Sequence, residues 1–248
     1  MESRKTTTAL ALIWLACVAV FLGLFVIYPR VKAAQPRCKL YGSMTGELRE
    51  SSFYQDLSSG DSVCFLGDSI TAGSFADGIP WYESLTPYIK GDISNLSYCG
   101  WKVNDLIENK NDIPNANIYV IAIGINDVLD PNGNGSCVTS DDYIKMIGKL
   151  SGIIQSKSPN AKIYFIAPWP YVADDIEARR LQFCTALEEW CSSSGFIYID
   201  PSKTILSVMD EEGAAKFTSD GLHPGVPDGI GLYGYAVLKS AHDMSAGN

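Results

Sequence analysis

Ser69 stands where an apolar run breaks, in VCFLGDSITAG (63–73). A serine hydroxyl is a poor nucleophile unless a base removes its proton, so its chemistry depends on a histidine that can reach it. The chain holds two, His223 and His242. His242 falls in the helical stretch GLYGYAVLKSAHDM, where a solvated histidine is the plain reading. His223 stands in SDGLHPG, three residues after Asp220. One turn can hold both side chains, so that the carboxylate accepts from one ring nitrogen and leaves the other facing a hydroxyl.

Each fragment also has a plainer explanation. DGLHP has the composition of a surface turn, and Asp68 and Ser69 are residue types that cap helix N-termini. GIND (124–127) reads as a tight turn after a buried strand, with Asn126 tolerating left-handed backbone. No fragment decides the matter alone.

The surrounding elements must bring these fragments together. Short β-branched runs at 62–67, 93–98, 117–124, 162–168 and 196–200 alternate with amphipathic stretches near 79–90, 102–110, 140–157 and 174–194, and a last helix closes the chain. Such alternation predicts an α/β domain with a five-stranded parallel sheet and helices on both faces, because parallel neighbours need crossovers. Sites in such sheets form at the carboxyl ends of the strands. There the sequence sets Gly67-Asp68-Ser69, then Cys99-Gly100, then Gly124 to Asp127, then Pro168-Trp169.

GDSIT after the first strand, Gly100 in CGWKVNDL, GIND after the third strand and DGLHP near the end occur in the order and approximate spacing of the GDSL, or SGNH, hydrolase family. The resemblance covers residues 61 to about 243 and implies a flavodoxin-like three-layer α/β/α sandwich. It implies Ser69 as nucleophile, His223 as general base and Asp220 as the group that orients the imidazole. The backbone N–H groups of Ser69 and Gly100 and the side-chain amide of Asn126 would form the oxyanion hole, where preorganised donors meet the charge of a tetrahedral intermediate. Asp68 and Asp127 match family positions too and are read as loop-shaping hydrogen bonders.

Members of the family mostly cleave carboxylic esters, many of them acyl groups on carbohydrate. The implied reaction acylates Ser69 and then hydrolyses the acyl-enzyme, with no metal and no organic cofactor. An O-acyltransferase using the same residues, or an idle glycan-binding domain, are the alternatives. Trp81, Trp101 and Trp169 are candidates for a substrate rim, with core packing the competing explanation for each.

With 46% hydrophobic and 19% charged residues, the chain has the composition of a folded protein and not of a disordered one. Residues 9–28, ALALIWLACVAVFLGLFVIY, are uncharged and long enough for a helix to cross a bilayer. The N-terminal part, 1–33, is expected to be a membrane anchor or a signal peptide, with an exported domain behind it on the extracellular side or secreted. Residues 34–60 read as a linker and lead-in, and 61–248 as the catalytic domain.

Beyond residue 33 the chain carries 15 basic against 27 acidic residues, a net charge of −12, which argues against a nucleic-acid partner. A glycan or other small ester is the expected substrate, with membrane contact through the N-terminal segment. Cys38, Cys64, Cys99, Cys137, Cys184 and Cys191 are an even set that permits disulfides in an exported domain, a Cys99–Cys137 bridge among them. Cys184 and Cys191 lie two turns apart on one helix, too far to bond each other.

Overall fold

The computed structural model describes residues 37–170, 174–218 and 220–246. The apolar segment 9–28 lies outside the described residues. Five strands form the sheet: β1 Val63–Gly67, β2 Ile93–Ser97, β3 Ile118–Ala122, β4 Lys162–Ile166 and β5 Ile197–Ile199. All pairs are parallel, in the order β2-β1-β3-β4-β5, and Val63 aligns with both Ile93 and Ile118. Each strand falls within a run expected from the sequence.

Around the sheet lie α1 Ser52–Leu57, α2 Ser69–Ala72, α3 Val103–Glu108, α4 Ile125–Leu129, α5 Ser140–Lys157, α6 Asp174–Ser194, α7 Ser202–Glu212 and α8 Asp228–Ala246. Alternate strand residues enter two different cores, as the two-residue period of a strand requires. Val63, Phe65, Val120, Tyr164 and Ile199 pack with Phe53 and Leu57 of α1, Ile205 and Met209 of α7 and Val237 of α8. Cys64, Leu66, Tyr119, Ile121 and Phe165 pack with Leu106 of α3, Ile147 and Leu150 of α5 and Phe183 of α6. The chain is therefore a three-layer α/β/α sandwich. Interior strands are covered on both faces and read as unbroken apolar runs, whereas the edge strand β2 reads ISNLS and is only partly buried.

Three expectations need correction. Residues 37–60 are not a lead-in, because Cys38, Leu48, Phe53 and Leu57 are buried. Phe53 and Leu57, four apart on α1, face the first core, and the Ser51 hydroxyl caps that helix by accepting from the Tyr54 N–H at 3.2 Å. The stretch expected to be helical near 79–90 is a 3₁₀ helix over Trp81–Tyr88, which contains Pro87. Proline has no N–H to donate and clashes with the preceding turn of an α-helix. Finally, the six described cysteines are all free thiols; Cys99 is exposed while Cys137 is buried. Burial pushes the Cys64 thiol up to about 11 and those of Cys184 and Cys191 up to about 12. Helix α7 was missed altogether, since SKTILSVMDEE offers only a short apolar stripe.

Candidate active site

The end of β1 and the start of α2 hold Ser69. Asp68 is the N-cap, in extended conformation, and its Oδ1 accepts from the Ile70 N–H at 3.0 Å. Ser69 is the first helical residue, where backbone N–H groups have no intrahelical acceptor. Capping and presentation of a nucleophile thus fall to adjacent residues. The Ser69 side chain is 4% exposed as a residue, and its Oγ lies 2.9 Å from His223 Nε2.

The loop that carries His223 is built by Asp220. Its Oδ1 accepts from the backbone N–H groups of Leu222 (2.9 Å) and His223 (2.7 Å) and from the Thr218 hydroxyl (3.2 Å). Its Oδ2 lies 2.6 Å from His223 Nδ1. A bridge between Thr218 and Pro224 closes the loop. Burial by itself would raise the Asp220 carboxyl, but the bonds from His223 and Leu222 outweigh it and hold the group at about 2. Asp220 is then an acceptor only, so in the neutral imidazole Nδ1 carries the proton and Nε2 is left with its lone pair toward the Ser69 hydroxyl.

The strand order places the loops after β2 and β3 on either side of Ser69. Gly100, after β2, has φ +78°, a left-handed conformation that side chains rarely adopt, and open space where a Cβ would be. Asn126, in α4 after β3, donates from Nδ2 to the Trp101 carbonyl at 2.9 Å. That bond fixes the amide plane and joins the two loops. A peptide N–H, an oriented amide and the Ser69 N–H can together receive a developing oxyanion.

Two buried carboxylates shape the same region. Asp127 is fully buried; its Oδ2 accepts from the Val103 N–H at 3.2 Å and its Oδ1 from the Cys137 N–H at 2.9 Å. Burial raises its carboxyl, against those bonds and the nearby Lys102 charge. Burial likewise pushes Asp68 up to about 7, in part opposed by its backbone bonds. Asp68 bonds within its own turn, whereas Asp127 ties the start of α3, after β2, to the segment after β3.

The proposed aromatic rim is only partly where the sequence suggested. Trp81 is fully buried, stacked on Tyr233 at 4.7 Å with its Nε1 donating to Thr71 Oγ1 at 3.3 Å, and Trp169 is 1% exposed against the same tyrosine. Both belong to the core and neither can touch a substrate. Trp101 is half-buried and packs on Tyr98, which is 60% exposed. His242 on α8 has no hydrogen bond to Ser69 or Asp220. Sequence reasoning missed Phe75, whose ring covers His223 with centroids 4.0 Å apart. It also missed two cations. Lys102 donates to Asp130 Oδ2 at 3.0 Å, and Arg179 donates to the Cys137 and Val138 carbonyls at 3.1 and 2.9 Å. Nothing in the sequence marks these three, since their roles come from where the loops meet.

Residues 65–227 match the model of the GDSL-like lipase/acylhydrolase family. The chain belongs to that family. It is an ester hydrolase, and the solved structures similar to this GDSL-like acylhydrolase agree on the fold. A putative GDSL-like lipase from Parabacteroides merdae superposes with a TM-score of 0.63 at 19% identity, covering 73% of this chain and 95% of that one. Axe2, an acetylxylan esterase from Geobacillus stearothermophilus, gives 0.62 at 21% identity, covering 75% and 95%. Variants of Axe2 described as catalytic mutants replace an aspartate, a histidine or a serine by alanine. No curated protein matches the chain significantly.

Proposed function

We propose that this GDSL-like acylhydrolase is a serine esterase that removes O-acyl groups, acetyl foremost, from a carbohydrate or other small ester. The observation that carries this reading is the chain of contacts from Ser69 Oγ through His223 to Asp220, at 2.9 and 2.6 Å. His223 Nε2 takes the Ser69 proton as Oγ attacks the ester carbonyl, and Asp220 stabilises the imidazolium and keeps its tautomer. The oxyanion is received by the N–H groups of Ser69 and Gly100 and by the Asn126 amide. His223 returns the proton to the leaving alcohol, and a water activated at the same nitrogen hydrolyses the acyl-Ser69.

The acetyl and carbohydrate parts of the reading draw support from the acetylxylan esterase Axe2. The paired aromatics Tyr98 and Trp101 beside Gly100 support it too, since flat apolar faces suit sugar rings. Export, with residues 9–28 as anchor or signal, completes the proposal.

Full-length protein should turn over p-nitrophenyl acetate and label at Ser69 with a fluorophosphonate probe. Ser69→Ala should abolish labelling, and Ser69→Ala or His223→Ala should each lower kcat by about 10⁴-fold or more. Undiminished turnover in either variant would sink the assignment. Acetyl groups appearing on an added oligosaccharide, with no free acetate, would move the activity to O-acyl transfer.

A further inference from the structure

Phe75 is 58% exposed, an unfavourable place for a large apolar ring, yet that ring lies over the His223 imidazole with centroids 4.0 Å apart and planes 31° from parallel. The loop that carries it is tightly built. Ser74 N–H donates to the Ser69 carbonyl at 3.0 Å, and Ala76 and Gly78 N–H both donate to the Gly73 carbonyl at 3.0 Å. Gly73 has φ +72°, and a Cβ there would meet the Ile79 backbone at 2.4 Å. Ala76 and Ile79 are buried in the first core, and the Arg37 side chain donates to the Gly78 carbonyl at 3.2 Å. Ala76 and Ile79 plug inward, while Phe75 faces out and lays its ring on one face of the imidazole.

We infer that Phe75 forms the wall of the subsite for the leaving alcohol and selects alcohols that carry a ring, a pyranoside above all. This inference rests on the serine-esterase reading given above. When the tetrahedral intermediate collapses, the carbonyl re-forms, the bond from the acyl carbon to the alcohol oxygen breaks, and that oxygen takes the proton from His223 Nε2. The alcohol must therefore sit against the imidazole. The acyl oxygen, in the serine-esterase reading, goes to the oxyanion donors and not to the imidazole. Phe75 is the aromatic that covers the imidazole, and its remaining surface is open to solvent, where the departing group must pass. A ring in a fixed loop has already lost its conformational freedom, so packing a flat sugar or aryl face on it costs little further order.

The test compares one acyl group on two alcohols, ethyl acetate and an acetylated methyl pyranoside, with full-length wild type, Phe75→Ala and Phe75→Tyr. Phe75→Ala should raise KM for the pyranoside about fivefold, the scale of an aromatic stacking contact. Its KM for ethyl acetate should stay within about twofold, and Phe75→Tyr should behave as wild type on both. Because Phe75 is largely exposed, its removal leaves no core cavity, and unchanged thermal unfolding of both variants should accompany this pattern. An equal change on both esters, no change, or a loss in kcat alone would overturn the inference while leaving the esterase reading intact. Wild type inactive on both esters would overturn the esterase reading and the inference with it.

Discussion

The Asn126 side-chain amide donates to the Trp101 carbonyl at 2.9 Å, tying the loop after β3 to the loop after β2 across the end of β1. One N–H of the amide is occupied by that bond. The other is held in the same plane, as the proposed role of oxyanion donor requires.

We therefore expect Asn126→Ala to lower kcat by about 10²–10³-fold with little change in KM, the usual cost of removing one oxyanion donor. Steady-state kinetics on p-nitrophenyl acetate checks this. A loss confined to KM would assign Asn126 to ground-state binding.

Asp220 holds the histidine tautomer. Asp220→Asn keeps the shape but can present an N–H toward Nδ1, which favours the wrong tautomer, and kcat should fall by about 10⁴-fold. Fluorophosphonate labelling of Ser69 in this variant should slow in parallel, because the hydroxyl loses its base. A variant that kept wild-type labelling rates would place the base elsewhere.

Stability should depend on pH through two carboxylates of opposite sign. Asp68 is pushed up to about 7 from its ordinary 3.8, so between those values the folded state holds a proton that the unfolded chain has released. Its contribution turns unfavourable as pH rises from about 4 to about 7 and is constant above that. Asp220, lowered to about 2, contributes stability that is present above 3.8 and is lost as pH falls through 2. Asp68→Asn keeps a capping acceptor and removes the first titration. The fall in Tm between pH 5 and pH 8 should then be smaller in the variant than in wild type. An identical slope would show that Asp68 does not titrate there.

The buried and half-buried tryptophans should separate cleanly. Trp81→Ala removes a fully buried ring packed on Phe65 and Tyr233 and should cost about 3–5 kcal/mol in denaturant unfolding. Trp101→Ala removes a half-buried ring packed on Tyr98 and should cost clearly less stability while raising KM for a glycan ester. The reverse pattern would restore Trp81 to the substrate rim.

By itself the sequence determined the five parallel strands and the loops that follow their carboxyl ends. Strand periodicity and turn chemistry are local, and the order of crossovers follows from them. It also marked Ser69, Asp68, Gly100, Asn126, Asp127, Asp220 and His223, because each belongs to a short motif at a strand end or in a turn. It misjudged residues 37–60, whose polar composition hid Phe53 and Leu57, and it left Trp81 and Trp169 open between a substrate rim and the core, because a tryptophan looks the same in sequence whether it turns inward or outward. Only the tertiary structure decided that the Asp220 loop returns over α2 to bring His223 to Ser69, 154 residues away, that Asn126 is aimed by the Trp101 carbonyl, and that Phe75 lies on the imidazole. These contacts join segments far apart in the chain, and the packing of the two cores on either face of the sheet sets which loops meet.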